Sequence, residues 1–141
     1  MTMADTLQLQ VATPERQLID EPVTAVEIPG RDGYLGILPD HAPLLGQLGA
    51  GVLSFSSSST SNGDRVLAVD GGFIEVMDNH VRVLAEHAEF GRDINVEEAR
   101  RRLTEAQETV ERQPPVENID EALANLRAAQ ARVDVAEQLL D

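Results

Sequence analysis

At 141 residues and 42% apolar, the chain has room for one ordinary domain or for a small domain with an appendage, and enough material for a core, which excludes disorder throughout. Its 25 acidic residues oppose 11 basic ones, all arginine, and the net charge of −14 would repel nucleic acid and anionic lipid surfaces. A solvated acidic surface accounts for most of that charge and names no partner, while the absence of cysteine excludes disulfides and thiolate chemistry and is compatible with a reducing compartment.

The first residues, Met1-Thr2-Met3-Ala4-Asp5, lack the basic and apolar regions of a signal peptide. No apolar stretch approaches the roughly 20 residues that span a bilayer, so no direct membrane insertion is expected and any membrane association runs through a partner. Up to about Ala88 the chain then reads as short alternating runs broken by Gly, Pro, Asn and Asp, the pattern of antiparallel strands. Leu7, Leu9 and Val11 point one way, Gln8 and Gln10 the other. Val23 to Ile28, Gly51 to Phe55, Arg65 to Val69, Gly72 to Met77 and Val81 to Ala88 repeat the theme, with turn chemistry at Asn62-Gly63 and Asp78-Asn79. Strands at this spacing predict an all-β sandwich or flattened barrel. The run Ser56 to Ser61 with Asn62-Gly63-Asp64 reads as an exposed hairpin loop whose serines are solvated.

From Asn95 the period changes. Val96, Ala99, Leu103, Ala106 and Val110 recur at helical steps, Asn95 caps the helix with Glu98 at the third position, and Pro114-Pro115 ends it. Glu97 with Arg101, Glu98 with Arg102 and Glu108 with Arg112 stand one turn apart. A second helix opens on Asn118 and Glu121, carries Ile119, Leu123, Leu126, Val133 and Leu140 on one stripe, and places Ala122, Ala129 and Ala136 beside it. A short Pro-containing link predicts a C-terminal antiparallel α-helical hairpin. The boundaries are 1–90 for the sandwich and 91–141 for the hairpin. Small side chains dominate the seam, so closing it contributes only about a few kcal/mol at roughly 25 cal/mol per Å². Periodicity alone admits a permanently closed hairpin and one that opens equally well.

The remaining signal is the stretch Gly36-Ile37-Leu38-Pro39-Asp40-His41-Ala42-Pro43-Leu44-Leu45, an apolar run interrupted by two prolines and an imidazole. Gly30, Gly33 and Gly36 do not form a phosphate cradle, because no Lys-Ser or Lys-Thr follows and no helix begins there; they bound a short strand and its turns. His41 between its prolines is more often a hydrogen-bonded structural residue than a catalyst. Leu44 and Leu45 are expected in the core, and Phe73, Ile74 and Val76 straddle both faces of one strand.

This stretch resembles the signature loop of the epsilon subunit of F-type rotary ATP synthases. The resemblance continues in Pro29-Gly30-Arg31-Asp32-Gly33, in Gly71-Gly72-Phe73-Ile74-Glu75-Val76 and in Asn79-His80-Val81-Arg82-Val83-Leu84-Ala85-Glu86, in the family's order and spacing, and covers nearly the whole chain. It implies a non-catalytic central-stalk subunit without a cofactor. The sandwich would couple the gamma subunit to the c-ring, and the hairpin would fold against it or extend along the shaft to block rotation in the hydrolysis direction. The assembly would sit peripherally on the cytoplasmic face of a bacterial plasma membrane. By the same resemblance Gly33, Tyr34, Asp40 and His41 face the c-ring, Tyr34 standing where relatives often carry an acid. Arg100, Arg127 and Arg132 would meet an acidic segment of the beta subunits in the catalytic alpha/beta hexamer.

Several relatives bind ATP on the folded hairpin through Ile-Asp-x-x-Arg-Ala, an upstream Glu and arginines on the second helix. Here the stretch is Ile94-Asn95-Val96-Glu97-Glu98-Ala99: Asn95 replaces the acid and Glu98 the phosphate-facing arginine. Glu89 and Arg132 fall on two of the family's contacts, but Ala128 replaces the arginine one turn before Arg132. The pattern is eroded, and weak or absent ATP binding is expected. The competing functions are an enzyme, against which stand the lack of Gly-x-Ser-x-Gly and of metal-ligand spacing among His41, His80 and His87, and a free-standing small-molecule-binding sandwich, which leaves the hairpin unexplained.

Overall fold

The computed structural model describes residues 5–57 and 65–138. Its elements are β1 (Leu7–Ala12), β2 (Gln17–Val23), β3 (Ala25–Gly30), β4 (Gly33–Ile37), β5 (Leu44–Ser56), β6 (Val66–Met77), β7 (His80–Phe90), a 3-10 turn (Gly91–Asp93), α1 (Val96–Glu111) and α2 (Ile119–Gln138). The strands are hydrogen-bonded in the order β2-β1-β7-β6-β5-β3-β4. All neighbours are antiparallel except β1 and β7. Only Thr24 separates the end of β2 from the start of β3. Elements far apart in the strand order are thus joined by one residue, so the sheet must fold over on itself. Its enclosed face holds side chains from every strand, among them Leu7, Leu9 and Val11, Ile28, Ile37, Leu53, Leu67, Ile74, Val81 and Val83. The predicted β-sandwich followed by a helical hairpin is the fold observed.

Several strand boundaries differ from the expectation. Val23 to Ile28 is not one strand: Thr24 breaks it by turning both its amide and its hydroxyl to the Ser56 carbonyl, at 2.9 and 3.2 Å. β2, with its interior Asp20, Glu21 and Pro22, carries no clean alternation and went unpredicted. The two runs expected at Arg65 to Val69 and Gly72 to Met77 merge into a single strand, β6, which begins at Val66 and in which Gly71 (φ 73°) and Gly72 (φ 127°) occupy left-handed backbone. Inward-facing residues step by two along a strand and so keep one parity, yet here the parity changes at one level. They run Leu48 then Leu53 and Phe55 on β5, Val69 then Ile74 on β6, and Ala85 then Ala88 on β7. Leu48, Gly72 and Ala85 are paired across the strands, and so are Gly51, Val69 and Ala88, so the register is unbroken through the change. Three neighbouring strands therefore reverse their inward face together, passing from one layer to the other. A Cβ at Gly72 would collide with the Leu84 carbonyl oxygen.

Leu45 was expected in the core and is instead 77% exposed, because β5 begins at Leu44 and strict alternation then turns Leu45 outward; Leu44 itself packs half-buried against the interior. Ser57, expected in solvent, is buried, and its carbonyl accepts from the Arg65 guanidinium. The rest of the expected serine loop, from Ser58 to Asp64, lies outside the described residues.

Asn95 caps α1 by accepting the Glu98 amide at 3.0 Å, and Asn118 accepts the Glu121 amide at 3.0 Å while its own amide donates to the Glu121 carboxylate at 3.3 Å. α1 ends at Glu111, before the two prolines, and pairs with α2 as a hairpin whose second helix lies on β5 and β6. A second, smaller apolar cluster forms there from Val66, Ala68, Ile94, Ala99, Ala131, Val133, Val135 and Ala136. The stripe read from the sequence of α2 is only partly the buried one. Val133 and the flanking Ala122 and Ala136 are buried, Ile119 is exposed, Leu123 and Leu126 are half-buried, and Leu140 lies outside the described residues. Ala131 and Val135 take their place because α2 has two covered sides, one against α1 and one against the sheet. Of the helical ion pairs expected, Glu98 with Arg102 forms at 3.1 Å, while Arg101 turns to Glu105 at 3.9 Å.

Candidate functional site

Three surfaces carry the residues in question. The first is the sheet edge at β4. Arg31 and Asp32 make the tight turn between β3 and β4, and Gly33 after it adopts φ 138°. Tyr34 reaches back over the sheet, and its hydroxyl accepts the Val52 amide at 3.0 Å. That amide lies where pairing between β3 and β5 breaks, between Glu27 and Gly30, so no β3 carbonyl serves it. Gly51 makes the approach possible, since a Cβ there would stand 2.5 Å from the Tyr34 oxygen. Tyr34 is therefore committed to capping an orphaned ladder amide, a role that composition and pattern did not signal.

Asp40 and His41 stand beyond the opposite end of β4, so the strand, about 13 Å of extended chain at about 3.3 Å per residue, separates them from Gly33 and Tyr34. Asp40 adopts φ 68°, donates its amide to the Asn79 side-chain oxygen at 2.6 Å and accepts the Asn79 side-chain amide at 3.1 Å. Asn79 and Asp78, both at positive φ, form the two-residue turn between β6 and β7. Asn79 also accepts the Gln8 amide through its carbonyl at 2.8 Å, so one residue ties the loop, the β6–β7 turn and the start of β1 together. The His41 Nδ1 donates to the adjacent Ala42 carbonyl at 2.6 Å. It thus has the hydrogen-bonded structural environment expected of a lone histidine.

The second surface is an exposed apolar patch on β5, β6 and β7: Leu45, Phe73, Met77 and Leu84 all point outward, with Phe73 paired directly with Leu84. Its members alternate with the buried Ile74 and Val76, which settles how that strand straddles both faces. Strand parity was the signal available; the residues look like core in composition, which hid it.

The third surface is a cavity of about 580 Å³ between the hairpin and the sheet, at the level where the strands reverse their inward face. Its wall includes Asp70, Glu89, Glu98, Arg102, Ala128 and Arg132. Four of the five nucleotide-site positions expected from sequence, Glu89, Glu98, Ala128 and Arg132, thus meet here, and Asn95 does not, being occupied as a helix cap. The Arg132 guanidinium donates to both oxygens of Glu89, at 2.9 and 3.3 Å, and lies 4.0 Å from Glu98. Asp70 is half-buried in the cavity wall, and this desolvation raises its pKa from the ordinary 3.8 against the opposing pull of His87. Among the described residues, both arginines in its wall, Arg102 and Arg132, are already paired with carboxylates.

Of the other arginines, Arg100 joins the two helices through Glu137, at 3.1 Å from Nε and 3.0 Å from a terminal nitrogen. Arg127 is exposed on α2 and makes no ion pair among the described residues. No helix among the described residues is long and apolar enough to cross a membrane.

Comparison with known proteins agrees with this geometry. Residues 6–91, which span the sheet, match the family described as ATP synthase, Delta/Epsilon chain, beta-sandwich domain. The ATP synthase epsilon chain of Solibacter usitatus is 46% identical over 138 residues, 96% of this chain and 99% of the relative. That of Carboxydothermus hydrogenoformans is 44% identical over 113 residues, 80% and 82% of the two chains. Among solved structures, a chain of the Euglena gracilis mitochondrial ATP synthase (OSCP/F1/c-ring) superposes with a TM-score of 0.70 at 23% identity, covering 100% of this chain and 85% of that one. A chain of the Tetrahymena thermophila mitochondrial ATP synthase central stalk and c-ring reaches 0.56 at 12% identity, over 99% and 100%. These two show the fold alone. Sheet, hairpin and near full-length identity together establish that the chain belongs to the ATP synthase epsilon chain family.

Proposed function

We propose that the chain is a non-catalytic rotor subunit that couples the gamma subunit to the c-ring and restrains ATP hydrolysis through its C-terminal hairpin. The observation that carries the regulatory part is how thinly the hairpin is attached. Its cluster on the sheet is made of alanines, valines and Ile94, and beyond that cluster a cavity separates the helices from the strands. Two packings a few kcal/mol apart are what a switch needs. Leu45, Phe73, Met77 and Leu84 are our candidates for the gamma contact, since large apolar side chains exposed together on one face, here around the Glu75–Arg82 pair, mark a protein interface. On the c-ring side, Gly33, Tyr34, Asp40 and His41 remain candidates, the Tyr34 hydroxyl being already engaged by the Val52 amide. Arg127 is the arginine best placed to meet an acidic beta-subunit segment; Arg100 and Arg132 would first have to leave their carboxylates. The assembly would be peripheral on the cytoplasmic face of a bacterial plasma membrane.

The test is ATPase activity of the reconstituted complex with the full chain and with a chain ending at Ile94. Hydrolysis should rise severalfold on truncation while a tagged subunit still copurifies gamma and the catalytic hexamer. No rise would overturn the inhibitory role, and loss of copurification would favour a free-standing sandwich that binds a small molecule.

A further inference from the structure

Arg132 of α2 stands where three elements meet. It engages Glu89 of β7 with two parallel hydrogen bonds and approaches Glu98 of α1, which also receives Arg102 at 3.1 Å. The Arg132 and Glu89 side chains are only 22% and 34% exposed, so solvent screens this pair less than the surface pairs. The planar fork of a guanidinium fits both oxygens of a carboxylate, which fixes direction as well as distance. Around the same cavity stand Asp70 and Glu105. Without Arg132, docking the hairpin would gather Asp70, Glu89, Glu98 and Glu105 around one space with Arg102 and His87 as the only basic groups in its wall. The charge balance of the docked state therefore turns on a single side chain. The tie between the helices, Arg100 to Glu137, does not involve the sheet, so releasing Arg132 from Glu89 leaves the two helices joined and only the apolar cluster at the root holding them to the sheet.

We infer that Arg132 is a built-in catch: Glu89 and Glu98 satisfy its charge from within the chain, so the hairpin docks without any anionic ligand. This deepens the regulatory reading above and rests on it only for the effect on hydrolysis, because the catch itself is a property of the isolated chain.

The absence of cysteine allows a direct test. Thr6→Cys and Gln107→Cys, both at exposed positions of the full chain, carry spin labels that report the distance between sandwich and hairpin. The labelled parent should give one narrow distance, that of the docked hairpin, unchanged by millimolar ATP with magnesium. Arg132→Glu should lower the docked-to-undocked ratio about tenfold or more. Adding Glu89→Arg to Arg132→Glu should restore the docked distance by re-forming the pair in reverse. A docked distance that survives Arg132→Glu, or a charge swap that fails to restore it, overturns the catch. A parent distance that shortens or narrows with ATP overturns its independence from anions. Truncation that leaves hydrolysis unchanged would end the regulatory reading while these distances stayed as they are.

Discussion

The sheet and the hairpin hold themselves together in different ways. The sheet encloses Leu, Ile, Val and Phe side chains from all seven strands in one interior, and many of them are completely hidden from solvent. The hairpin meets the sheet through small residues at its root and one guanidinium farther along. At about 0.8 kcal/mol per buried methylene, a seam half of alanines and mostly valines otherwise contributes less than the same number of leucines. A large core with a lightly attached appendage teaches that the energy of this fold is concentrated in the sheet, and that the hairpin contact contributes a small share of it.

The strongest way to break that comparison is Gly72→Val. The new side chain would collide with the Leu84 carbonyl and force a β-branched residue into φ 127°, so it should cost about 3 kcal/mol or more. Chemical denaturation should show the sheet and the docked hairpin lost together, since the hairpin's docking face is the sheet itself. Tyr34→Phe should be milder, about 1 kcal/mol, from the Val52 amide left without its acceptor. If the tyrosine matters only to the sheet, this variant will lower the denaturation midpoint and leave assembly with the c-ring unchanged.

The smallest expected effect sharpens the boundary between the regions. Asp70 belongs to the sheet and lines the cavity beneath the hairpin, and burial there raises its folded-state pKa above its unfolded value of 3.8. The folded state therefore binds the proton more tightly, so this group costs stability progressively as pH rises above its unfolded pKa, and costs nothing well below it. Asp70→Asn should raise the melting temperature slightly at neutral pH and not at about pH 3, with a smaller gain in a chain ending at Ile94 where the cover is gone. An equal gain in both chains would mean that the hairpin is not what buries Asp70.

The sequence disclosed most where a single period governs a segment. Leu7, Leu9 and Val11 needed only alternation, and Asn95 and Asn118 only the chemistry of a first helical turn. It disclosed least where two constraints overlap. Gly71-Gly72 looked like a break between strands because glycine also ends strands, whereas here it lets one strand change its inward face. Leu45 looked like core because an apolar side chain does not announce which parity its strand will adopt. On α2 the second covered side, against the sheet, belongs to tertiary packing, so Ala131 and Val135 could not be told from solvent-facing positions. In the cleft, the residue types at Glu89, Glu98, Ala128 and Arg132 were legible; that Glu89 and Glu98 would serve Arg132 itself required the fold.

The coordinated change of face in β5, β6 and β7 has a mechanical consequence. In a sandwich whose layers touch only through side chains, a twisting force on one layer reaches the other by compressing soft packing. Here three adjacent hydrogen-bonded backbones run from one layer into the other, so torsion would travel along covalent chain and the body would turn as one stiff piece.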